Sequence, residues 1–82
     1  MLLKSATMTE RDQNTAYFVT FCIEQYKMHI GAAGQEVMDL FDRYGVVRYL
    51  VDNYDVLHTQ GWQWLVADLD DYIAKRREEE KR

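Results

Sequence analysis

Gly34-Gln35-Glu36-Val37-Met38-Asp39-Leu40-Phe41-Asp42-Arg43-Tyr44-Gly45 is the stretch that decides the fold class. Val37, Leu40, Phe41 and Tyr44 recur at spacings of three and four, the period that lines one face of an α-helix rather than one face of a strand. Gly34 opens the stretch and Gly45 closes it, where a residue without Cβ can take the left-handed conformation that commonly ends a helix. The spacing therefore predicts a helix over residues 34 to 44.

Toward the N-terminus, Tyr17, Phe18, Phe21, Cys22 and Tyr26 keep a helical spacing, and Thr9 stands three residues before Asp12 as a capping pair. This first helix is expected to end near Gly31. Toward the C-terminus, Val47, Leu50, Val51, Tyr54 and Leu57 continue the period, although the β-branched Val46, Val47 and Val51 lower the helix propensity. The pattern lapses over residues 55 to 61. It resumes with Trp62, Leu65, Val66, Leu69, Tyr72 and Ile73, which are expected to face the core, and Thr59 or Gln60 is expected near the start of this last helix. The expectation is an all-α fold: a compact single domain of about four short amphipathic helices, each apolar stripe closing one shared core.

The 82 residues hold 48% hydrophobic and 13% aromatic side chains, enough for one core, and no proline, Gly/Ser-rich linker or repeat divides the chain. Residues 1 to 8 read as an N-terminal extension, with Met8 as a second candidate start, residues 9 to 74 as the helical domain, and residues 75 to 82 as a charged helix end. A single cysteine, Cys22, rules out an internal disulfide. With no signal-peptide core and no apolar run of membrane-spanning length, a cytoplasmic protein is expected.

The net charge of −4 is unevenly spread. Residues 75 to 82 carry five basic and three acidic side chains, which leaves five basic and eleven acidic in residues 1 to 74, so the body is −6 and the tail +2. Phosphate backbones attract clustered Lys and Arg, so the acidic body argues against nucleic-acid binding; the basic tail alone keeps a nucleic-acid or transcription accessory module as the alternative. The plain reading of the tail is a solvated helix end, with Lys75 and Glu79, Arg76 and Glu80, and Glu78 and Arg82 each four residues apart.

Catalytic chemistry finds little support. Cys22, His29 and His58 could be drawn as a zinc trio, but no Cys-x-x-Cys or His-Glu-x-x-His spacing accompanies them, and a lone cysteine in an aromatic stripe behaves as a small buried hydrophobe. Asp52, Asp55, Asp68, Asp70 and Asp71 fall mostly opposite the apolar stripes, where carboxylates keep a helix in water. The four glycines are scattered, so no loop is built to cradle phosphate. No catalytic residue, metal site or cofactor is expected, and the chain reads as a non-enzyme.

Two surface features stand out. His58-Thr59-Gln60-Gly61 places a titratable ring, a hydroxyl and an amide on one turn, where His58 could bond a neighbouring helix end and Thr59 could cap the last helix. On that helix, Trp64, Asp68, Asp71 and Lys75 stand at i, i+4, i+7 and i+11, opposite the apolar stripe. A tryptophan beside carboxylates suits a protein-binding hot spot, because the ring supplies apolar area and the acids attract a basic partner. Trp64, Asp68, Asp71 and His58 are therefore the candidate partner-binding residues; a fold of Trp64 over a neighbouring helix, or a homodimer seam, is the competing reading.

Phe21-Cys22-Ile23-Glu24-Gln25-Tyr26, Leu40-Phe41-Asp42-Arg43-Tyr44-Gly45-Val46, Tyr54-Asp55-Val56-Leu57-His58-Thr59-Gln60-Gly61 and Asp68-Leu69-Asp70-Asp71-Tyr72-Ile73 together resemble a family of small bacterial proteins classed as a domain of unknown function. The resemblance covers most of residues 14 to 74, and the Leu-His-Thr-Gln-Gly turn is its most specific part. Members are often encoded beside an ADP-ribosyltransferase-like protein, in an arrangement similar to a toxin and antitoxin pair. What the resemblance implies is a protein partner and no catalytic residue; the basic tail departs from the family's common segment.

Overall fold

The computed structural model describes residues 9–81, so the extension over residues 1 to 8 and the second start at Met8 lie outside the described residues. Five helices follow one another: α1 (Glu10–Ile30), α2 (Gly34–Tyr44), α3 (Val46–Asp52), α4 (Tyr54–Leu57) and α5 (Trp62–Glu80). There is no strand among the described residues.

Local chemistry sets the boundaries. The Thr9 hydroxyl accepts from the Asp12 backbone N–H while the Asp12 carboxylate accepts from the Thr9 N–H, so the expected capping pair closes the start of α1 from both sides. Gly31 and Gly45, both near φ +66°, end α1 and α2 in the left-handed region. At the start of α2 the Glu36 side chain accepts the Ala33 N–H.

The expected third helix is two helices, divided at Asn53. Its side-chain amide donates to the Tyr49 carbonyl at 2.8 Å and satisfies the end of α3, while its own carbonyl accepts the N–H groups of Val56 and Leu57 and begins α4. The side chain thus competes with the continuing helix for backbone groups, which spacing of apolar residues cannot reveal. At the other end of the chain α5 runs through Glu80 with no break at residue 74.

The core takes Phe18, Cys22 and Tyr26 from α1, Val37, Phe41 and Tyr44 from α2, Val46 and Leu50 from α3, Leu57 from α4, and Leu65, Val66, Leu69 and Ile73 from α5. No polar or charged residue is buried among them. Four expected core positions are corrected by the structure: Tyr17, Phe21, Val51 and Trp62 are exposed. Trp62 has the right helical phase for the core, but it is the first residue of α5, where the stripe has run past the elements that could cover it. Tyr17 and Phe21 sit on the edge of α1 turned away from the buried Phe18 and Cys22.

Candidate functional site

The turn after α4 delivers the start of α5 to its place. His58 stacks flat on Tyr54, with ring centroids 4.3 Å apart and planes within 8°, and its Nδ1 lies 2.7 Å from the Tyr54 carbonyl oxygen. Tyr54 in turn meets the buried Phe18 edge-on at 5.6 Å. Thr59 donates its hydroxyl to the Val56 carbonyl, so it closes the end of α4 and does not cap α5, whose start is set by the extended backbone of Gly61. The Nδ1 and one ring face of His58 are thus committed to Tyr54, and the rest of the side chain is exposed.

Beyond Gly61 the chain enters α5 with two tryptophans two residues apart. At about 100° per residue they face roughly opposite sides of the helix. Trp62 borders a groove of about 510 Å³ with Gln25, Met28 and His29 of α1. Trp64 points outward, 47% exposed, so nearly half of a large apolar ring stands in water.

Along the Trp64 face the acids differ from one another. Asp68 accepts the Tyr49 hydroxyl at 2.6 Å and is half-buried, and Tyr49 stacks on Tyr72 with centroids 4.1 Å apart. Burial first, and then the Asp68 carboxylate, push the Tyr49 hydroxyl up to about 12, which keeps it a proton donor at neutral pH. Arg76 extends the same row by donating to the Tyr72 hydroxyl at 2.7 Å. Asp68 is thus part of a polar seam joining α3 to α5, whereas Asp71 is exposed and available to an external cation. Of the four expected partner-binding residues the structure puts Trp64 and Asp71 on open surface, uses Asp68 from within, and turns His58 back onto Tyr54.

Two further polar clusters had no signal in local spacing. Asp70 accepts from the Tyr26 hydroxyl at 2.7 Å and lies 2.7 Å from His29 Nε2, joining α1 to α5 across more than forty residues of sequence. At the far end of α5, Glu80 receives Arg43 through both carboxylate oxygens at 3.1 Å and the Tyr44 hydroxyl at 3.1 Å. Arg43 and Arg77 each lie 5.5 Å from the centre of the Tyr44 ring. The charged end is a solvated helix end that also clasps α2, and its pairing differs from the expected one: Glu80 pairs with Arg43 instead of Arg76, and Arg76 approaches Glu79. Two of the tail's cationic side chains, Arg76 and Arg77, are engaged with tyrosines or carboxylates of the chain itself.

The groups that could carry reaction chemistry are separated. Cys22 is in the core, where burial pushes its thiol up to about 12 and so keeps it from the thiolate form. His29 is turned to Asp70 and His58 to Tyr54, so the drawn zinc trio does not assemble, and among the described residues no three His, Cys, Asp or Glu side chains gather at metal-binding distance. No helix among them is long and apolar enough to cross a membrane.

No curated protein and no solved structure matches this chain. A family model does, over residues 17–76, a span that holds the His58 turn, both tryptophans and the Asp68 and Asp70 seams. The chain belongs to the family described as protein of unknown function, DUF3791.

Proposed function

We propose that this chain is a non-enzymatic protein-interaction module, the antitoxin-like half of a pair with an ADP-ribosyltransferase-like protein, and that the outward face of α5 receives that partner. The observation that carries the reading is Trp64: a large ring, 47% exposed, on a helix whose Leu65, Val66, Leu69 and Ile73 are spent on the core. Hot spots are enriched in tryptophan because one rigid ring contributes much apolar area at small entropic cost. Asp71 supplies an open negative charge two turns along, and the net −6 of residues 1 to 74 favours approach of a basic surface. The choice of an ADP-ribosyltransferase-like partner rests on the family resemblance and on the suitability of an acidic face for covering a basic groove.

The test is titration of the purified chain with an ADP-ribosyltransferase-like protein of the kind that the family resemblance implies. Trp64→Ala is expected to weaken binding by about 2 kcal/mol, roughly 30-fold, with the helical spectrum and unfolding midpoint unchanged. Asp71→Asn is expected to slow association at low salt and to matter less as salt rises. A folded Trp64→Ala chain that binds with unaltered affinity removes α5 from the interface; absence of any binding by the wild-type chain removes this partner.

A further inference from the structure

Helix α1 carries two apolar stripes. Phe18, Cys22 and Tyr26 are buried, while Tyr17, Phe21 and Met28 lie within about 40° of one another on a second face and are 73, 42 and 64% exposed. Trp62, 48% exposed, stands beside Met28 across the groove they share with Gln25 and His29. The outer stripe follows the three-and-four spacing Asn14, Tyr17, Phe21, Glu24, Met28, which is the seam of a two-helix pairing. With no strand among the described residues, this face has no sheet edge to extend, and a helix is the element that fits it.

We propose that the outer face of α1 is a homodimer seam, in which α1 of a second copy packs antiparallel across a two-fold axis near residues 22 and 23. The stripe is self-complementary about that point. Tyr17 and Met28 are equally far from it, so each protomer's Tyr17 ring meets the second copy's Met28, a favourable sulfur and aromatic pairing. Phe21 meets the second copy's Glu24, whose carboxylate is already held by Lys27 at 3.2 Å, and the ring lies over that ion pair and the aliphatic stem of the lysine. Trp62 closes the rim next to Met28.

The four large side chains alone supply about three-quarters of the area of a small stable interface. At about 200 Å² for each large side chain, the exposed parts of Tyr17, Phe21, Met28 and Trp62 amount to roughly 450 Å² per protomer. A symmetric pair then buries roughly 900 Å² before the flanking Asn14, Thr20, Glu24 and Gln25 are counted, against about 1,200 Å² for the smaller stable interfaces. This face is separate from the Trp64 face of α5, so a dimer leaves the proposed partner surface open and displays it twice.

Light scattering on the eluting full chain across a hundredfold range of concentration reads the outcome. The wild-type chain is expected to reach twice its monomer mass at high concentration. Tyr17→Lys and Met28→Glu, each checked for native helicity, are expected to stay monomeric alone. Mixed in equal amounts they are expected to dimerise, because one site of the pair joins the two new opposite charges and the other keeps the native Tyr17 and Met28 contact. A wild-type chain that is monomeric throughout overturns the proposal, including one that uses this face only when a different protein is added. A dimer indifferent to both substitutions places the seam elsewhere and overturns it as well. Two monomeric variants that fail to complement each other overturn the antiparallel pairing.

Discussion

Helices α1 and α2 show the same three-and-four spacing of apolar residues, yet they use it differently. In α2 the stripe is spent on the core: Val37 and Phe41 are fully buried, Tyr44 nearly so, and Met38 alone among its large apolar residues is left in water. In α1 the apolar residues are spread over a wider arc, and the core accepts Phe18, Cys22 and Tyr26 while Tyr17, Phe21 and Met28 remain outside. An apolar stripe tells which face is sticky, and only the neighbours decide how much of it is covered.

The largest effect is expected from the α2 stripe. Phe41 is wholly buried and touches Tyr26 ring to ring at 5.7 Å, so Phe41→Ala removes a ring from a closed core and leaves a cavity that surrounding helices fill only in part. A loss of about 3–5 kcal/mol is expected in denaturant titration, with the slope unchanged. A loss below about 1 kcal/mol would mean that α2 is not closed at all and would remove the contrast with α1.

Next in size is the buried stripe of α1. Tyr26→Phe keeps the ring in the core and deletes the hydrogen bond to Asp70, for which about 1–2 kcal/mol is expected because the acceptor is charged but still half in water. The same pair carries a pH dependence. Burial alone raises the Asp70 carboxyl, but the hydrogen bonds from His29 and Tyr26 outweigh it and hold the group below its ordinary 3.8. A carboxyl lowered in the folded state stabilises the fold above its unfolded pKa, and that stability is lost as pH falls through the folded value. Asp70→Asn is therefore expected to be less stable than wild type at neutral pH and to lose less on acidification below about pH 4. Parallel acid dependences for the two proteins would show that the α1 to α5 seam is not held by this charge.

The same contrast explains what the sequence could and could not disclose. The caps at Thr9 and Gly45, the turn at Gly31 and the identity of the long helices were readable, because they depend on residues within four positions of each other. The exposure of Tyr17, Phe21 and Trp62 was not, because helical phase is a property of one element and coverage is a property of two. Asn53 broke the third helix through a side-chain bond that apolar spacing does not register. The bonds from Tyr26 to Asp70, Tyr49 to Asp68 and Tyr44 to Glu80 are separated by 44, 19 and 36 residues, and each converts a carboxylate that looked solvated into the acceptor for a tyrosine at the edge of the core. For the candidate surface, the periodic argument placed Trp64 and Asp71 outside, while the stacking of His58 on Tyr54 depends on a turn one residue beyond a four-residue helix, which apolar spacing does not register.

The smallest change in the stability of the single chain, and the sharpest test of the comparison, is expected from Tyr17→Ser. Tyr17 is almost three-quarters exposed, and serine and tyrosine have similar helix propensities, so in dilute solution the substitution should shift unfolding by less than about 0.5 kcal/mol. Concentration separates this residue from a merely idle one. If the outer stripe of α1 is covered by a second copy, the wild-type midpoint rises with protein concentration by mass action, and the Tyr17→Ser midpoint stays flat. A cost approaching that of Phe41→Ala at low concentration would make Tyr17 part of the core. Equal concentration dependence in the two proteins would leave α1 with an apolar face that no copy of the chain covers.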